Sequence, residues 1–373
     1  MLISNKIDGI GTFTHESFKL LTQQHPEVTF YFFFDRDFDQ QFIYGKNVKG
    51  IVVPLPTRHP YLLWMWLNMM VPYYLKKYEI DLFISPDGFL PTNCKTKTLD
   101  IIHDLNFFHY PQKIRWGWGA FYNKHFPKYA QQATRIATVS EFSKTDIAQQ
   151  YQIAKSKIDV VYNGANEGFQ PITETEITST RNKYSNGHPY FFFVGSMYER
   201  KNIKRLLQAF ELFKTETNSD FKLLIAGRKI WWSNETEETY NNSKFKEEII
   251  FTGRVDNASL HKLMGAAFAL VYVSLFEGFG IPIVEAMQCS VPVITSNLTS
   301  MPEVAGDAAL CVNPNSTEEI CHAMKTIVDD KNLYQSLKEK GLERSKLFTW
   351  QRTADLIWQS IEKTIATKYT RSS

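Results

Sequence analysis

The sequence predicts an α/β protein with two doubly wound domains, each built on a parallel sheet. Short runs rich in β-branched and aromatic residues alternate with longer stretches of helical period along the whole chain. The runs are almost continuously apolar, as expected of parallel strands that are buried on both faces. The length of 373 residues, at roughly 150 residues per domain, independently predicts two domains.

Twelve runs are predicted as strands, six on each side of a polar stretch at residues 163–185. They are residues 28–34, 50–53, 80–85, 98–103, 135–139 and 158–162, then 190–195, 221–227, 249–253, 269–273, 291–295 and 308–312. The polar stretch has little apolar periodicity and is predicted to be a linker. This pattern predicts an N-terminal domain over residues 1–165 and a C-terminal domain over 186–348.

Composition excludes several classes of protein. With 43% hydrophobic and 22% charged residues the chain is globular, and no run reaches the roughly 18 apolar residues of a membrane-spanning helix. The first residues lack the apolar core of a signal peptide and the four cysteines show no C-x-x-C spacing, which predicts a cytoplasmic protein without a disulfide framework. A net charge of +3 is too small to suggest nucleic-acid binding. Residues 1–165 hold 18 Lys and Arg against 14 Asp and Glu (+4), and the remainder hold 24 against 25 (−1).

Ligands of open parallel sheets bind beyond the carboxyl ends of the strands, so the residues after each predicted strand are candidates for a site. The strongest segment is S-L-F-E-G-F-G-I-P-I-V-E at residues 274–285. Its glycines permit a tight turn and Pro282 suits the start of a helix, so backbone N–H groups would face an anion. Glu277 and Glu285 could both accept hydrogen bonds from sugar hydroxyls. The alternative is an ordinary glycine turn in which Glu285 only complements the helix dipole.

A second segment, F-F-F-V-G-S-M-Y-E-R-K-N at residues 191–202, ends a buried strand at Gly195. Arg200 and Lys201 then precede a predicted helix that has Asn202 as its N-cap. Two adjacent cations at the positive end of a helix would bind a diphosphate without a metal ion. The alternative is a solvated loop with unpaired surface charges.

Three further candidates lie in the first half of the chain. D-G-I-G-T at residues 8–12 places Gly11 at a helix start, although the seven preceding residues do not have the pattern of a strand. His103 and Asp104 follow a predicted strand, where a histidine could donate a hydrogen bond to a ligand or titrate. Ser140 is predicted first as a helix N-cap and only second as a site residue.

Other patterns favour ordinary structure over function. Asp35-Arg36-Asp37 mimics the D-x-D motif of metal-dependent sugar transferases, but it lies in a polar turn and is better interpreted as solvated. Residues 61–78 and 113–128 are aromatic stretches with lysines, a composition that also suits a membrane interface. Core packing explains the first stretch better, and for the second both interpretations stay open.

Together these motifs resemble a family-four retaining glycosyltransferase with the GT-B fold, similar to bacterial mannosyltransferases of cell-surface polysaccharide assembly. The resemblance runs through the chain in the order D-G-I-G-T-F-T, H-D-L-N-F-F-H-Y-P, T-V-S-E-F-S, V-V-Y-N-G, V-G-S-M-Y-E-R-K-N, F-E-G-F-G-I-P-I-V-E and M-P-E-V-A-G-D-A-A. It implies two Rossmann-like domains that face a cleft, with a C-terminal helix within residues 349–373 crossing back to the first domain.

By this resemblance, Arg200 and Lys201 contact the donor diphosphate and Glu285 binds the ribose hydroxyls. The donor sugar would be held by Glu277 and by the backbone at Gly278, Phe279 and Gly280. The resemblance places His103 near the reacting carbon and Gly11 against the phosphates. The remaining implied contacts are those of Gly195, Arg254 and Val255 with the donor, and those of Asp104 and Ser140 on the acceptor side.

The implied reaction moves a hexosyl group, with mannosyl favoured, from a nucleotide diphosphate sugar such as GDP-mannose to a glycan or lipid-linked glycan. It would retain the anomeric configuration and need neither a cofactor nor a metal ion. The protein would be cytoplasmic, with peripheral contact to the inner face of the membrane and no nucleic-acid partner. The family has a strand before the glycine loop, so the first strand is expected to be missing here, or the true start lies upstream. Rival interpretations are another GT-B enzyme (an epimerase or a phosphorylase) and a decayed sugar-nucleotide-binding protein.

Overall fold

The computed structural model describes residues 9–111, 117–166, 168–229 and 232–367. The chain divides into two units, Met1–Gly164 with Trp350–Ser373, and Ala165–Thr349. All twelve predicted strands are present, and their ends differ from the predicted ones by at most two residues. The apolar runs therefore identified the strands of both units.

The first unit contains two parallel sheets. One pairs β1 (Phe30–Phe34) with β2 (Val48–Val52), and the other has the order β3 (Leu82–Ser85), β4 (Lys97–Ile101), β5 (Arg135–Thr138) and β6 (Ile158–Val160). Its helices are α1 (Gly9–Gln24), α2 (Pro60–Met65), α3 (Val71–Lys77), α4 (Asn106–His109), α5 (Trp118–Gln132), α6 (Glu141–Tyr151) and α15 (Trp350–Ala366). Helix α15 packs on α1, β4 and β5, so the end of the chain completes the core of the first unit.

The strand expected to be missing would precede α1, and residues 1–8, which precede α1, lie outside the described residues. Among the described strands, β1 and β3 belong to different sheets. Both line one cavity of about 790 Å³, together with Ile361 and Ile365 of α15. The described part of the first unit thus has an interrupted sheet.

The second unit contains one six-stranded parallel sheet with the order β12-β11-β10-β7-β8-β9. The strands are β7 (Tyr190–Val194), β8 (Lys222–Ala226), β9 (Ile249–Gly253), β10 (Ala269–Tyr272), β11 (Val293–Ser296) and β12 (Leu310–Val312). The central strand β7, Y-F-F-F-V, is fully buried over Tyr190–Phe193 because helices cover both faces of the sheet. After β7 the chain adds strands on one side, and after β10 on the other. The strand order therefore reverses between β7 and β10, the switch point at which open α/β sheets bind ligands.

The helices of the second unit cover this sheet. They are α7 (Glu174–Ser185), α8 (Ile203–Thr217), α9 (Asn234–Asn242), α10 (Asn257–Gly265), α11 (Ile281–Gln288), α12 (Met301–Ala305), α13 (Thr317–Asp329) and α14 (Lys331–Ser345). Helix α13 packs on α8, and α14 packs on α11. The helices that follow β7 and β10 are α8 and α11, so both begin at the switch point.

The prediction of a plain linker at residues 163–185 is wrong, because α7 lies there and belongs to the second unit. Thr173 and Glu176 form a capping box at its start, in which each side chain binds the backbone N–H of the other residue. Only Thr180 and Ser185 of this helix are buried. Such a polar helix has almost no apolar period, which is the signal that the sequence prediction used.

Candidate active site

Four side chains meet at the carboxyl ends of β7 and β10. Glu277 Oε1 accepts hydrogen bonds from Lys201 Nζ at 2.6 Å and from the Tyr272 hydroxyl at 3.0 Å, and Oε2 accepts from Arg200 Nη1 at 3.0 Å. Lys201 Nζ also donates to the Tyr272 hydroxyl oxygen. Lys201, Tyr272 and Glu277 are all buried. We call these four residues the Glu277 cluster; the sequence predicted three of its members as site residues, and the structure brings them together.

The charges of this cluster determine the state of its carboxylate. Burial by itself would raise the pKa of Glu277, but Lys201 and Arg200 outweigh that effect and lower the pKa to about 2. Glu277 is therefore ionised at neutral pH. Two cationic side chains share one carboxylate, so the cluster keeps an excess of positive charge for an anionic ligand.

Local backbone contacts join the loops that follow β7 and β10. Arg200 and Lys201 lie in a 3₁₀ turn, and the carbonyl of Arg200 accepts a hydrogen bond from Leu275 N at 2.7 Å. The Asn202 side chain donates to the carbonyls of Val273 at 3.0 Å and Pro314 at 2.7 Å. Asn202 is the N-cap residue of α8, as predicted, but its side chain makes no capping bond. It ties the cationic loop to the end of β10 instead.

The glycine turn behaves as its sequence predicts. Gly280 has a φ of 103°, a left-handed conformation that favours glycine, and α11 begins directly after it without a side-chain cap. The Ser300 hydroxyl lies within hydrogen-bond distance of the carbonyls of Glu277 (2.9 Å) and Phe279 (3.0 Å). The Phe279 ring packs edge-on against Phe348. The Phe279 ring therefore packs within the second unit, and the contact of the Gly278–Gly280 backbone with a donor stays a prediction.

Glu285, the fifth residue of α11, is partly exposed. Desolvation raises the pKa of its carboxyl group to about 7. In the part of the chain that the structure describes, this carboxyl group makes no hydrogen bond or ion pair. A carboxyl group without protein partners in this position suits a ligand that donates hydrogen bonds.

The glycines after β7 and β8 lie against each other. A Cβ on Gly227 would stand 1.9 Å from the carbonyl oxygen of Gly195, so no larger residue fits there. Gly195 has a φ of 147° and donates its N–H to the carbonyl of Ala226 at 2.9 Å. Arg254 and Val255 follow β9, with Arg254 exposed, and no contact described here joins either of them to the Glu277 cluster.

The remaining predicted site residues belong to the first unit. The His103 ring meets Phe13 edge-on, and its Nε2 donates to the carbonyl of Pro86 at 2.9 Å, since a carbonyl can only accept. Gly11 is buried in the first turn of α1. Asp104 Oδ1 accepts hydrogen bonds from the backbone and side chain of Asn106, at 2.9 and 2.7 Å. Ser140 is the N-cap of α6, as predicted. Both acceptor-side candidates thus bind local backbone, and their contact with an acceptor stays a prediction.

The D-x-D-like turn has a structural role. Asp35 forms a two-point ion pair with Arg36 at 2.8 and 2.6 Å, and it accepts hydrogen bonds from the backbone and hydroxyl of Thr57. These bonds outweigh the effect of burial and lower the pKa of Asp35 to about 2. The turn is therefore held by Arg36 and Thr57 rather than simply solvated. Over the described ranges, no group of three His, Cys, Asp or Glu side chains is placed to hold a metal ion.

Sequence reasoning missed three residues of this site. Tyr272 bonds to both Lys201 and Glu277, Thr299 Oγ1 accepts from Glu277 N at 3.3 Å, and Ser300 holds the glycine turn. A tyrosine at the carboxyl end of an otherwise aliphatic strand, V-Y-V-S, is a signal that could have identified Tyr272. Thr299 and Ser300 carry no such signal, because they follow the next strand, β11, and approach Glu277 only through strand pairing.

Two parallel-sheet units, with cationic and acidic side chains at the switch point of the second, are the arrangement expected of a GT-B glycosyltransferase. Comparison with known proteins agrees. The sequence model described as "Glycosyl transferases group 1" matches residues 175–344, and that of "Glycosyltransferase Family 4" matches residues 7–168. The chain belongs to this glycosyltransferase family and is an enzyme of that class.

Individual proteins show the same relationship. The chain is 30% identical to O-antigen chain mannosyltransferase B of Escherichia coli over 279 residues, which cover 74% of this chain and 73% of that protein. It is 27% identical to O-antigen chain mannosyltransferase RfbU of Salmonella typhimurium over 272 residues, 72% of this chain and 69% of the relative. A glycosyltransferase crystal structure from Rickettsia africae superposes with a TM-score of 0.73 at 17% identity, covering 96% of both chains. This last likeness concerns the fold alone.

Proposed function

We propose that this enzyme transfers a mannosyl group from GDP-mannose to a glycan or lipid-linked glycan of a cell-surface polysaccharide, with retention of configuration and without a metal ion. The observation that carries the proposal is the Glu277 cluster, which holds two cations at the switch point beside the start of α11. That arrangement suits a diphosphate. Mannosyl transfer is supported by the names of the two curated relatives.

In the proposed reaction the bond from the anomeric carbon to the phosphate oxygen breaks, and a bond from that carbon to the acceptor oxygen forms on the same face. The departing phosphate oxygen takes the proton of the acceptor hydroxyl. Charge develops on the leaving diphosphate, so Arg200, Lys201 and the first amides of α11 stabilise the transition state more than the bound donor. A covalent glycosyl–enzyme adduct, detected by mass spectrometry of the quenched enzyme, would contradict this same-face displacement.

The other residues take the roles that the family resemblance implies. Glu285 accepts hydrogen bonds from the ribose hydroxyls, and the loop at Arg254 and Val255 contacts the base. By the same resemblance, His103 would act at the reacting carbon and Gly11 would bind the phosphates. Glu277 has two roles in this proposal. It orients Arg200 and Lys201, a role supported by the hydrogen bonds that both donate to it, and it contacts the donor sugar.

The donor is tested by thermal unfolding in the presence of GDP-, UDP-, ADP- and CMP-sugars, each with and without EDTA. A ligand that binds only the folded protein at 100 times its Kd stabilises it by about 2.7 kcal/mol, so the true donor should stand out. We expect GDP-mannose to raise the Tm most and EDTA to leave that shift unchanged. A larger Tm shift with another nucleotide sugar would identify that compound as the donor instead. Loss of the shift in EDTA would contradict the metal-free reaction.

Tyr272 should act as a positioning residue for the two charged groups that it contacts. Tyr272→Phe removes the hydroxyl that binds Lys201 and Glu277, and we expect kcat to fall about tenfold with little change in the donor KM. Tyr190→Phe is the matched control, since Tyr190 is equally buried in the same sheet and its hydroxyl donates to the carbonyl of Leu263 at 2.7 Å. Steady-state kinetics of both variants check this. Equal kcat values in the two variants would show that the Tyr272 hydroxyl does not position Lys201 and Glu277 for catalysis.

Donor affinity should depend on pH through Glu285. Its carboxyl pKa of about 7 in the free protein means that protonation removes an acceptor for the ribose hydroxyls as the pH falls. Between pH 8 and pH 6 the ionised fraction falls about tenfold, so the Kd for GDP-mannose should rise by up to about tenfold. Calorimetric titration at several pH values over this range measures the Kd. In the Glu285→Gln variant the Kd should not change with pH. If the Kd of that variant depended on pH as in the wild type, another titrating group would be responsible.

A further inference from the structure

Lys229, in the loop after β8, lies in a corner formed by three aromatic rings. Its Nζ is 4.0 Å from the ring centroid of Phe251, 5.0 Å from that of Trp232 and 5.1 Å from that of Tyr240. The ring planes meet pairwise at 78–85°, with centroids 5.2–6.4 Å apart, so they stand like two walls and the floor of a box. We call these three residues the aromatic box. Because the faces of aromatic rings attract cations, the box anchors the ammonium group of Lys229.

The aromatic box is built from three neighbouring parts of the second unit. Trp232 precedes α9, Tyr240 lies within α9, and Phe251 is the third residue of the edge strand β9. The anchored lysine therefore attaches the loop after β8 both to a helix and to the edge of the sheet.

The two residues before Lys229 are attached to neighbouring loops as well. Gly227 donates its N–H to the carbonyl of Gly253, at the end of β9, at 2.9 Å. The carbonyl of Arg228 accepts a hydrogen bond from Met197 N at 3.2 Å, in the loop after β7 that carries the two cations of the Glu277 cluster. The segment Gly227–Lys229 thus joins that cationic loop to the end of β9, and the aromatic box is its third attachment.

The end of β9 needs such support because its pairing with β8 is irregular. Phe251 and Gly253 pair with consecutive residues of β8, so Thr252 is an extra residue in the ladder. An extra residue disrupts the ladder locally and bends the strand, and such bulges are frequent next to active sites. Gly253 then takes a left-handed φ of 69°. The course of the chain beyond Gly253 therefore depends on contacts outside the ladder, of which Lys229 on the Phe251 ring is one.

We propose that Lys229, held in the aromatic box, is a positioning residue for donor binding. It fixes the segment after β8 and the bulged end of β9, and through them the loop at Arg254 and Val255, which contacts the base in the proposed function. The inference rests on that function and deepens it. In this arrangement the ammonium group stays in the box and does not touch the donor. Its effect is therefore on the binding of the base, and not on the diphosphate or the reacting carbon.

The test is calorimetric titration of the full chain with GDP and with inorganic pyrophosphate, which has the diphosphate but no base. Lys229→Met removes the cation and keeps a side chain of similar shape. We expect its Kd for GDP to rise about tenfold and its Kd for pyrophosphate to change by less than about twofold. Lys229→Arg should bind GDP within about threefold of the wild type, since a guanidinium group also binds aromatic faces. In steady-state kinetics the donor KM of Lys229→Met should rise about tenfold, with kcat within about twofold of the wild type.

Lys246→Met is the matched control for the loss of a cation near the aromatic box. Lys246 Nζ lies 5.0 Å from the centroid of the same Tyr240 ring, but Lys246 belongs to the 3₁₀ turn before β9 and not to the loop after β8. This variant should bind GDP like the wild type. Phe251→Leu keeps an apolar side chain in β9 and removes the ring nearest to the ammonium group. It should weaken GDP binding as Lys229→Met does, and the double variant should bind no more weakly, because both changes remove one shared contact.

Three results would overturn the proposal: a wild-type Kd for GDP in Lys229→Met, equal weakening of GDP and pyrophosphate, or additive losses in the double variant. A wild-type protein that binds GDP no more tightly than pyrophosphate would also overturn it, because the base would then contribute nothing, while the proposed diphosphate site would stand. If the wild type bound neither compound, the proposed function would fail and this inference would fail with it.

Discussion

Lys201→Met is expected to lower kcat for sugar transfer by about 10²–10³-fold, the loss typical when one preorganised electrostatic donor is removed. The ammonium group lies 2.6 Å from Glu277 and, in our proposal, faces the charge that develops on the leaving diphosphate. Because Arg200 still neutralises Glu277 in this variant, no carboxylate is left buried without a partner. The donor KM should change much less than kcat. Single-turnover and steady-state kinetics with GDP-mannose measure both quantities.

Lys214→Met is the matched control for that variant. Lys214 is also buried in the second unit and forms an ion pair with Glu248 at 2.5 Å, but it lies on α8, outside the Glu277 cluster. This variant should lose stability and keep the wild-type kcat. If Lys201→Met remains folded and retains more than about a tenth of the wild-type kcat, the role proposed for this lysine is wrong. Similar losses of kcat in both variants would indicate general destabilisation.

Glu285→Ala is expected to raise the Kd for the nucleotide sugar by about 100-fold. Two ribose hydroxyls would each lose a charged acceptor, and hydrogen bonds to charged groups contribute about 1.5–3 kcal/mol each. No partner among the described side chains depends on this carboxylate, so the folded protein should not be destabilised. Calorimetric titration of the variant with GDP-mannose measures the loss.

The control addresses the alternative in which Glu285 only complements the helix dipole. Glu318 is an exposed carboxylate in the first turn of α13, where it complements the helix dipole and accepts a hydrogen bond from the Ser316 hydroxyl at 3.0 Å. Glu318→Ala should leave donor affinity unchanged and cost at most about 1 kcal/mol of stability. Should Glu285→Ala behave in the same way, the proposed contact with the ribose would be refuted.

Much of this fold could be predicted because its signals are local. The apolar runs located all twelve strands, since a strand buried on both faces needs apolar side chains at nearly every position. The glycine turn before α11 was predictable because Gly280 takes a backbone conformation that other residues avoid. Helix α7 was missed because it is polar on nearly all sides and lacks the apolar period by which a helix is predicted. Its capping box was nevertheless present in the sequence.

The partners of the site residues could not be predicted. The sequence suggested that Arg200 and Lys201 were two cations open to a diphosphate, yet both bind Glu277, which lies 77 and 76 positions further along the chain. The side chain of Asn202 was expected to cap α8 and instead bridges to Val273 and Pro314. Such contacts depend on which strands are neighbours, and neighbouring strands are chosen by the packing of the whole sheet.

The sequence by itself determined the strands, the glycine turn, the candidate charged residues and the resemblance to a glycosyltransferase family. Each of these depends on residue type and spacing over a few positions. Only the tertiary structure decided that β7 and β10 are adjacent, so that the Glu277 cluster forms with Tyr272 as its fourth member. This outcome depends on the long-range packing of the sheet, which a local pattern does not specify.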